Sequence, residues 1–262
     1  MFDLKGKVAL LTGAKTGLGR DMAEVFAENG CDIIITSRTQ EKAQEAADEI
    51  AAKYGVEAIG LALEVNSVES VEALAEAAFG WKGHIDILVN NSGGGSGASE
   101  GHLFDRSYEA IENMIKTNLT GTIFVCKAVG RYMKEQKSGK IINIGSIAGV
   151  VGRDRRMYYE ANKMEQPVDY AAAKGGVIAL TRDLAAVLAP YNVNVNCISP
   201  GGFDKGELPE DFVRLYSNRT PLGYMGRIKK DIKGAALFLA TAASDYVTGI
   251  NLLVDGGFSS WQ

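Results

Sequence analysis

Residues 8–20 read VALLTGAKTGLGR. Four apolar residues, Val8 to Leu11, form a short run that predicts a buried strand. Thr12 follows, and then three glycines, Gly13, Gly17 and Gly19, in the spacing G-x-x-x-G-x-G. Arg20–Asn29 is amphipathic and predicts a helix closed by Gly30. A glycine turn between strand and helix lets backbone N–H groups approach a pyrophosphate, and the helix N-terminus favours its charge. The spacing differs from the G-x-G-x-x-G of most dinucleotide folds. Three glycines alone need not imply a ligand; the strand before and the helix after favour a phosphate-binding turn.

The pattern continues along the chain. Strands are expected at Asp32–Thr36, Ala58–Val65, Ile85–Asn90, Lys140–Ile144, Val193–Ile198 and Ile250–Val254. Helices are expected at Gln40–Tyr54, Val68–Phe79, Asp169–Leu188 and Lys230–Ala240. A long helix lies within Tyr108–Lys134 and is interrupted or bent at Gly121. Strands apolar on both faces, alternating with helices, predict an α/β fold. Its doubly wound, mainly parallel Rossmann-like sheet is covered by helices on both faces. Residues 1–262 read as one domain. Three irregular stretches, Ser92–Phe104, Gly149–Val168 and Gly201–Arg227, are long enough to be functional and are expected at the carboxyl ends of strands. The glycines from Gly93 to Gly97 predict a flexible loop.

Composition narrows the function. The chain is 46% hydrophobic and 23% charged, with a net charge of −4, which weighs against nucleic acid as main partner. Met1 to Lys7 and the brief run after it do not form a signal peptide, and no apolar window is long enough for a membrane span. Cys31, Cys126 and Cys197 are scattered and odd in number. They read as buried residues of a reducing cytoplasm. No spacing of histidine, cysteine and carboxylate predicts a metal site.

Further motifs occur in order. They are Asn90-Asn91-Ser92-Gly93, Asn118 within TNLTG, IINIGS ending at Ser146, Tyr170-x-x-x-Lys174, NCISPG ending at Gly201, and LVDGG near the C-terminus. Together with residues 12–19 they resemble the short-chain dehydrogenase/reductase family over nearly the whole chain. The resemblance implies nicotinamide-dependent, metal-free hydride transfer. It implies cofactor contacts from Gly13, Lys15, Thr16, Gly17, Leu18, Gly19, Ser37, Arg38, Glu64, Val65, Asn91, Ser92, Gly93, Tyr170, Lys174, Pro200, Gly201 and Phe203. The second strand ends without the carboxylate expected of NAD-preferring folds. Arg38 offers a donor fork suited to a 2′-phosphate, so NADP(H) is favoured over NAD(H). Glu64 stands where the family usually has aspartate, and Lys205 where a threonine contacts the nicotinamide amide. Ser92 replaces the usual alanine.

An alcohol must lose its hydroxyl proton before its carbon can give up a hydride. Tyrosine, with a pKa of about 10, needs a nearby cation to serve as the base. Residues four apart share a helix face, so Tyr170 can act with Lys174 beside it. Ser146 is expected to position the substrate oxygen. By resemblance, Lys174 also bonds the nicotinamide ribose and Asn118 supports a proton-relay water. A second match, Tyr159-x-x-x-Lys163, lies nearer the usual distance from Ser146. The register from Tyr170 to Pro200-Gly201 runs without a gap, whereas a helix begun at Tyr159 would meet Pro167 inside it. Residues 150–168 therefore read as a substrate-side insertion, with an arginine cluster, Arg153, Arg155 and Arg156, suited either to an anionic substrate or to ion pairs. Residues 201–227 read as a lid with Phe203, Leu208, Phe212, Leu215 and Tyr216 as its apolar cover.

The expected substrate is a secondary alcohol or ketone, first of all a sugar acid or polyol, in keeping with a general likeness to gluconate 5-dehydrogenase-type members. The alternative is a 3-oxoacyl thioester on a carrier. An alternative of another class is a cofactor-binding regulatory protein without turnover. The segment Val247–Phe258 resembles the family's interface strand, which implies a homotetramer.

Overall fold

The computed structural model describes residues 1–94 and 100–261, so Gly95 to Gly97 of the expected flexible loop lie outside the described residues. The chain runs through β1 (Val8–Leu11), α1 (Gly17–Glu28), β2 (Asp32–Ser37), α2 (Gln40–Tyr54), β3 (Ala58–Ala62), α3 (Val68–Lys82) and β4 (Ile87–Asn90). There follow α4 (Tyr108–Ile115), a π-turn (Lys116–Thr120), α5 (Gly121–Gln136), β5 (Gly139–Ile144), α6 (Arg156–Glu160), α7 (Val168–Leu188) and β6 (Val193–Pro200). The last elements are β7 (Phe203–Asp204), α8 (Glu210–Asn218), β8 (Gly226–Arg227), α9 (Lys233–Ala240) and β9 (Asn251–Val254).

Seven strands form one parallel sheet in the order β3-β2-β1-β4-β5-β6-β9. Side chains alternate across it. Ala9 and Leu11 of β1 face a core with Met22 and Phe26 of α1, Ile50 of α2 and Leu239 of α9. Val8 and Leu10 face the opposite core, with Leu74 of α3, Val129 of α5 and Leu188 of α7. A sheet buried on both faces needs apolar residues at every position, which is why these strands read as continuous runs. The order reverses between β1 and β4, leaving a crevice at their carboxyl ends.

Three details depart from the sequence expectation. β3 ends at Ala62, opposite Ser37 at the end of β2, and does not reach Val65. An edge strand stops where its single partner stops. The helix expected to bend at Gly121 carries its irregularity one step earlier, in the π-turn holding Asn118, and Gly121 begins the regular helix again. The stretches 149–168 and 201–227 contain α6, α8 and the small parallel pair β7-β8. Tyr158 of α6 packs on Phe212 of α8 with ring centroids 5.1 Å apart, and Tyr216 stacks on Phe258 at 4.5 Å. These residues join Ile147, Met157 and Met225 in a separate small core above the sheet.

Candidate active site

The phosphate turn is tied to the turn after β4. Thr12 Oγ1 accepts from Asn91 N and Ser92 N, both at 3.0 Å. Asn91 Nδ2 donates to Thr12 O at 3.1 Å and Gly13 O at 3.0 Å. Asn91 thus holds the two turns together. Beside them lies a cleft of about 480 Å³. Gly13, Lys15, Ser37, Arg38, Ser92 and Gly93 line it, as do Glu64 and Val65. The structure therefore brings these residues together in one place. Glu64 Oε1 accepts from Asn66 N at 3.1 Å.

Thr16 is the N-cap of α1, Leu18 packs into the core beneath it, and neither lines the cleft. Gly17 adopts φ +64°, a left-handed conformation suited to glycine. Lys205, where the threonine was expected, sends its ammonium here. A Cβ on Gly17 would lie 3.6 Å from Lys205 Nζ.

Ser146 ends the β5 turn and caps a short 3₁₀ turn, its Oγ accepting from Ala148 N at 3.1 Å. That turn packs directly on α7. A Cβ on Gly149 would lie 2.6 Å from the Lys174 carbonyl carbon, so only glycine allows the approach. Tyr170 lies near the Ser146 and Gln166 side chains, both of which favour its ionised form. Pro167 caps α7, so Tyr170 lies in its first turn and Lys174 one turn further. Both are buried, at 8% and 4% exposure. Lys174 Nζ donates to Ile144 O at 2.7 Å and lies 5.8 Å from the Tyr170 ring centroid.

A buried polar ladder fixes the helix. Asn90 Nδ2 donates to Asn143 Oδ1 at 2.9 Å, and Asn143 Nδ2 to Thr181 Oγ1 at 3.0 Å, two turns along α7 from Lys174. Asp169, next to Tyr170, forms a buried ion pair with Arg106 at 2.6 Å.

Burial pushes the Tyr170 phenol above its usual value, while the Ser146 contact, the Arg153 charge and the Gln166 contact pull it down. Burial also lowers the Lys174 ammonium to about 8, opposed by nearby Cys197. Asn118 faces the loop after β4: its Oδ1 accepts from Gly94 N at 2.7 Å, and its Nδ2 donates to Met114 O at 3.1 Å.

A second cavity, of about 330 Å³, opens at Ser146 and Gly201. Phe203, Leu208, Phe212 and Tyr216 line it, while Leu215 packs behind them in the small core. Pro200 is buried at the end of β6, and Gly202 N donates to Tyr216 Oη at 2.6 Å, holding α8 to the turn. The insertion supplies the other wall, with Arg153, Tyr158, Lys163 and Gln166. Gln166 was not foreseen; a glutamine just before a helix-capping proline carries no signal without the tertiary contact.

The two Tyr-x-x-x-Lys matches separate clearly. α6 stops at Glu160, and Asn162 turns left-handed at φ +46°. Tyr159 is 62% exposed, while Lys163 lines the cavity with its Nζ 5.3 Å from the Phe212 ring centroid.

No helix of the described residues is long and apolar enough to cross a membrane. Residues 13–259 match a family model described as enoyl-(acyl carrier protein) reductase. A 3-oxoacyl-[acyl-carrier-protein] reductase of Aquifex aeolicus is 37% identical, over 97% of this chain and 98% of the relative. A 2-dehydro-3-deoxy-D-gluconate 5-dehydrogenase of Dickeya dadantii is 34% identical, over 98% of this chain and 97% of the relative. The crystal structure of an NADPH-dependent 3-quinuclidinone reductase from Rhodotorula rubra superposes with a TM-score of 0.87 at 33% identity, covering 98% of this chain and 93% of that one. With a doubly wound parallel sheet, a glycine turn at its switch point and a serine, tyrosine and lysine gathered at the strand ends, the chain belongs to the short-chain dehydrogenase/reductase family of NAD(P)-dependent oxidoreductases.

Proposed function

We propose that this enzyme interconverts a small polar secondary alcohol and its ketone with NADP(H), and that a sugar acid or polyol is its natural substrate class. The observation that carries the chemistry is Tyr170, buried on α7 with the Lys174 ammonium 5.8 Å from its ring centroid, near Ser146, which lines the cavity. A bound nicotinamide supplies or accepts the hydride. Tyr170 gives the proton to the carbonyl oxygen in reduction and takes it back in oxidation. Ser146 donates to that oxygen and holds it. Lys174 stabilises the phenolate. Asn118, braced across the π-turn, supports the water that returns the proton to solvent.

The cofactor cleft suits a phosphorylated ribose. Lys15 and Arg38 line it, and neither has a carboxylate partner among the described residues. Lys205 adds a third cation above Gly17, where a pyrophosphate would approach the α1 N-terminus. The NADPH-dependent relative supports the same preference. The test is kcat/KM for both cofactors, read by nicotinamide absorbance against ketones and sugar acids. A preference for NAD(H) sinks the NADP(H) assignment.

The second reading, reduction of a 3-oxoacyl thioester on a carrier, draws on the apolar cover of Phe203, Leu208 and Phe212 and on the Aquifex relative. Acidic carriers dock on free basic surface, whereas Arg155 and Arg156 of the insertion are already paired with Glu165 and Asp154. Comparing kcat/KM on an oxoacyl thioester with that on the sugar acids separates the two. The enzyme is further proposed to be a cytoplasmic homotetramer. β9 is an edge strand carrying exposed Leu253 beside exposed Ile250, and Cys31, Cys126 and Cys197 are free and buried. Light scattering that finds only monomer overturns the assembly.

A further inference from the structure

The insertion and the lid together carry several arginines, and nearly all of them are neutralised. Arg155 Nη1 reaches Glu165 Oε2 at 3.1 Å and also donates to Gln166 O at 2.6 Å. Arg156 clasps Asp154 through Nε at 2.9 Å and Nη2 at 2.7 Å. Arg219, from the end of α8, pairs with the same aspartate. Arg214 pairs with Asp211 at 3.0 Å. Arg153 is the exception. Its Nη1 donates to the side-chain oxygen of Gln166, a neutral partner, and it has no carboxylate among the described residues. Its Nη2 is buried and makes no hydrogen bond among them.

Arg153 lines the cavity that opens at Ser146. It also lies close enough to Tyr170 and Tyr216 for its charge to act on both phenols. The second cation of the cavity, Lys163, sits over the Phe212 ring and has no carboxylate partner either. The one acid in the lining, Glu165, is held by Arg155. The cavity therefore carries uncompensated positive charge, with a buried guanidinium N–H lacking an acceptor. A buried donor left without a partner is costly, and more so when charged, so it calls for an anion when the site is filled.

We propose that Arg153 is the anchor for a substrate carboxylate, with Lys163 as a supporting cation. This inference rests on the proposed hydride-transfer site and names its substrate class: an oxo acid or hydroxy acid, bound with its carboxylate on Arg153 and its carbonyl between Ser146 and Tyr170. Gln166, hydrogen-bonded to Arg153, holds the anchor on the cavity wall. The insertion thereby acquires a purpose. It closes one wall of the site and delivers a single unpaired arginine, its other arginines being held by acids.

The experiment measures NADPH oxidation by the full-length enzyme with short oxo acids and with their primary amides, and with cyclohexanone as an uncharged ketone. Wild-type enzyme is expected to favour each acid over its amide by roughly ten- to hundredfold in kcat/KM, chiefly through KM. Arg153→Gln should abolish that preference, read as the acid-to-amide ratio of kcat/KM within each enzyme so that any change in Tyr170 ionisation cancels, while leaving the Kd for NADPH within about twofold. Arg153→Lys should restore part of it. Arg156→Ala, whose guanidinium points to solvent and Asp154, should keep the full preference. Acids no better than amides in wild type, or a preference that survives Arg153→Gln, overturns the anchor. If no ketone of any charge is reduced, it is the hydride-transfer site itself that fails.

Discussion

Two stretches of this chain carry the same spacing, tyrosine followed four residues later by lysine, and the fold uses them differently. Tyr170 and Lys174 lie on a helix of 21 residues whose buried face continues through Val177, Thr181, Ala185 and Leu188. Tyr159 and Lys163 straddle the end of a helix of five residues, broken by left-handed Asn162. In the first pair the spacing places both side chains on one face. In the second it has no such meaning: Tyr159 stands in solvent and Lys163 turns into the cavity. Four-residue spacing signifies a shared face only where the helix is continuous, and continuity here is set by burial. α7 packs against β5 and β6, whereas α6 lies in the small core above the sheet.

The sharpest way to break this contrast is to remove one hydroxyl at a time. Tyr170→Phe should lower kcat by roughly a thousandfold, within the range for loss of a general acid–base, while NADPH still binds. Tyr159→Phe should stay within about twofold. The reverse outcome in nicotinamide absorbance assays would exchange the roles of the two pairs.

The anchoring of the two helices differs as strongly. Arg106→Leu leaves Asp169 buried without its partner at the start of α7, and urea denaturation should show a loss of about 3–5 kcal/mol. Arg156→Ala, which breaks an exposed, solvent-screened pair beside α6, should leave the urea midpoint nearly unchanged.

Lys174 supplies a smaller effect of opposite sign. Its ammonium falls to about 8 in the free enzyme, against about 10.4 when unfolded. Between those values the unfolded chain holds a proton that the folded chain has released, so this group's contribution to stability rises with pH there. Lys174→Met should abolish turnover, raise stability at neutral pH by roughly 1–3 kcal/mol, and flatten the rise above pH 8. A destabilised variant would show that the bond to Ile144 O outweighs the burial of charge. The smallest effect belongs to the lid. Lys205→Thr should weaken NADPH binding by roughly two- to fivefold at low salt, with the difference fading as salt is added. An unchanged Kd at low salt would place Lys205 outside the cofactor's reach.

Much of this was legible from periodicity. Val8–Leu11 and residues 87–89 are apolar on both faces because helices cover both faces of the sheet. α2 ends at Tyr54, as expected, because the next residue, Gly55, takes the left-handed φ of +70° that closes a helix. The overshoot of β3 has a different origin. Leu63 and Val65 are as apolar as a strand requires, but β2 ends at Ser37 and offers nothing further to pair with. The π-turn at Asn118 was hidden too, because its geometry answers to the Gly94 backbone, a partner far along the chain.

The local sequence by itself determined the order of strands and helices, the phosphate turn, and the register that makes Tyr170 and Lys174 the pair on the long helix. Those features depend on neighbours within a few residues, where propensity and periodicity act. Tertiary structure alone decided which arginine of the insertion stays unpaired, that Gln166 lies near Tyr170, and that Lys205 lies over Gly17. Long charged side chains take whatever partner the folded backbone brings within a few ångströms. Asp154 could be claimed by Arg156 and Arg219 together only once α8 had packed against α6.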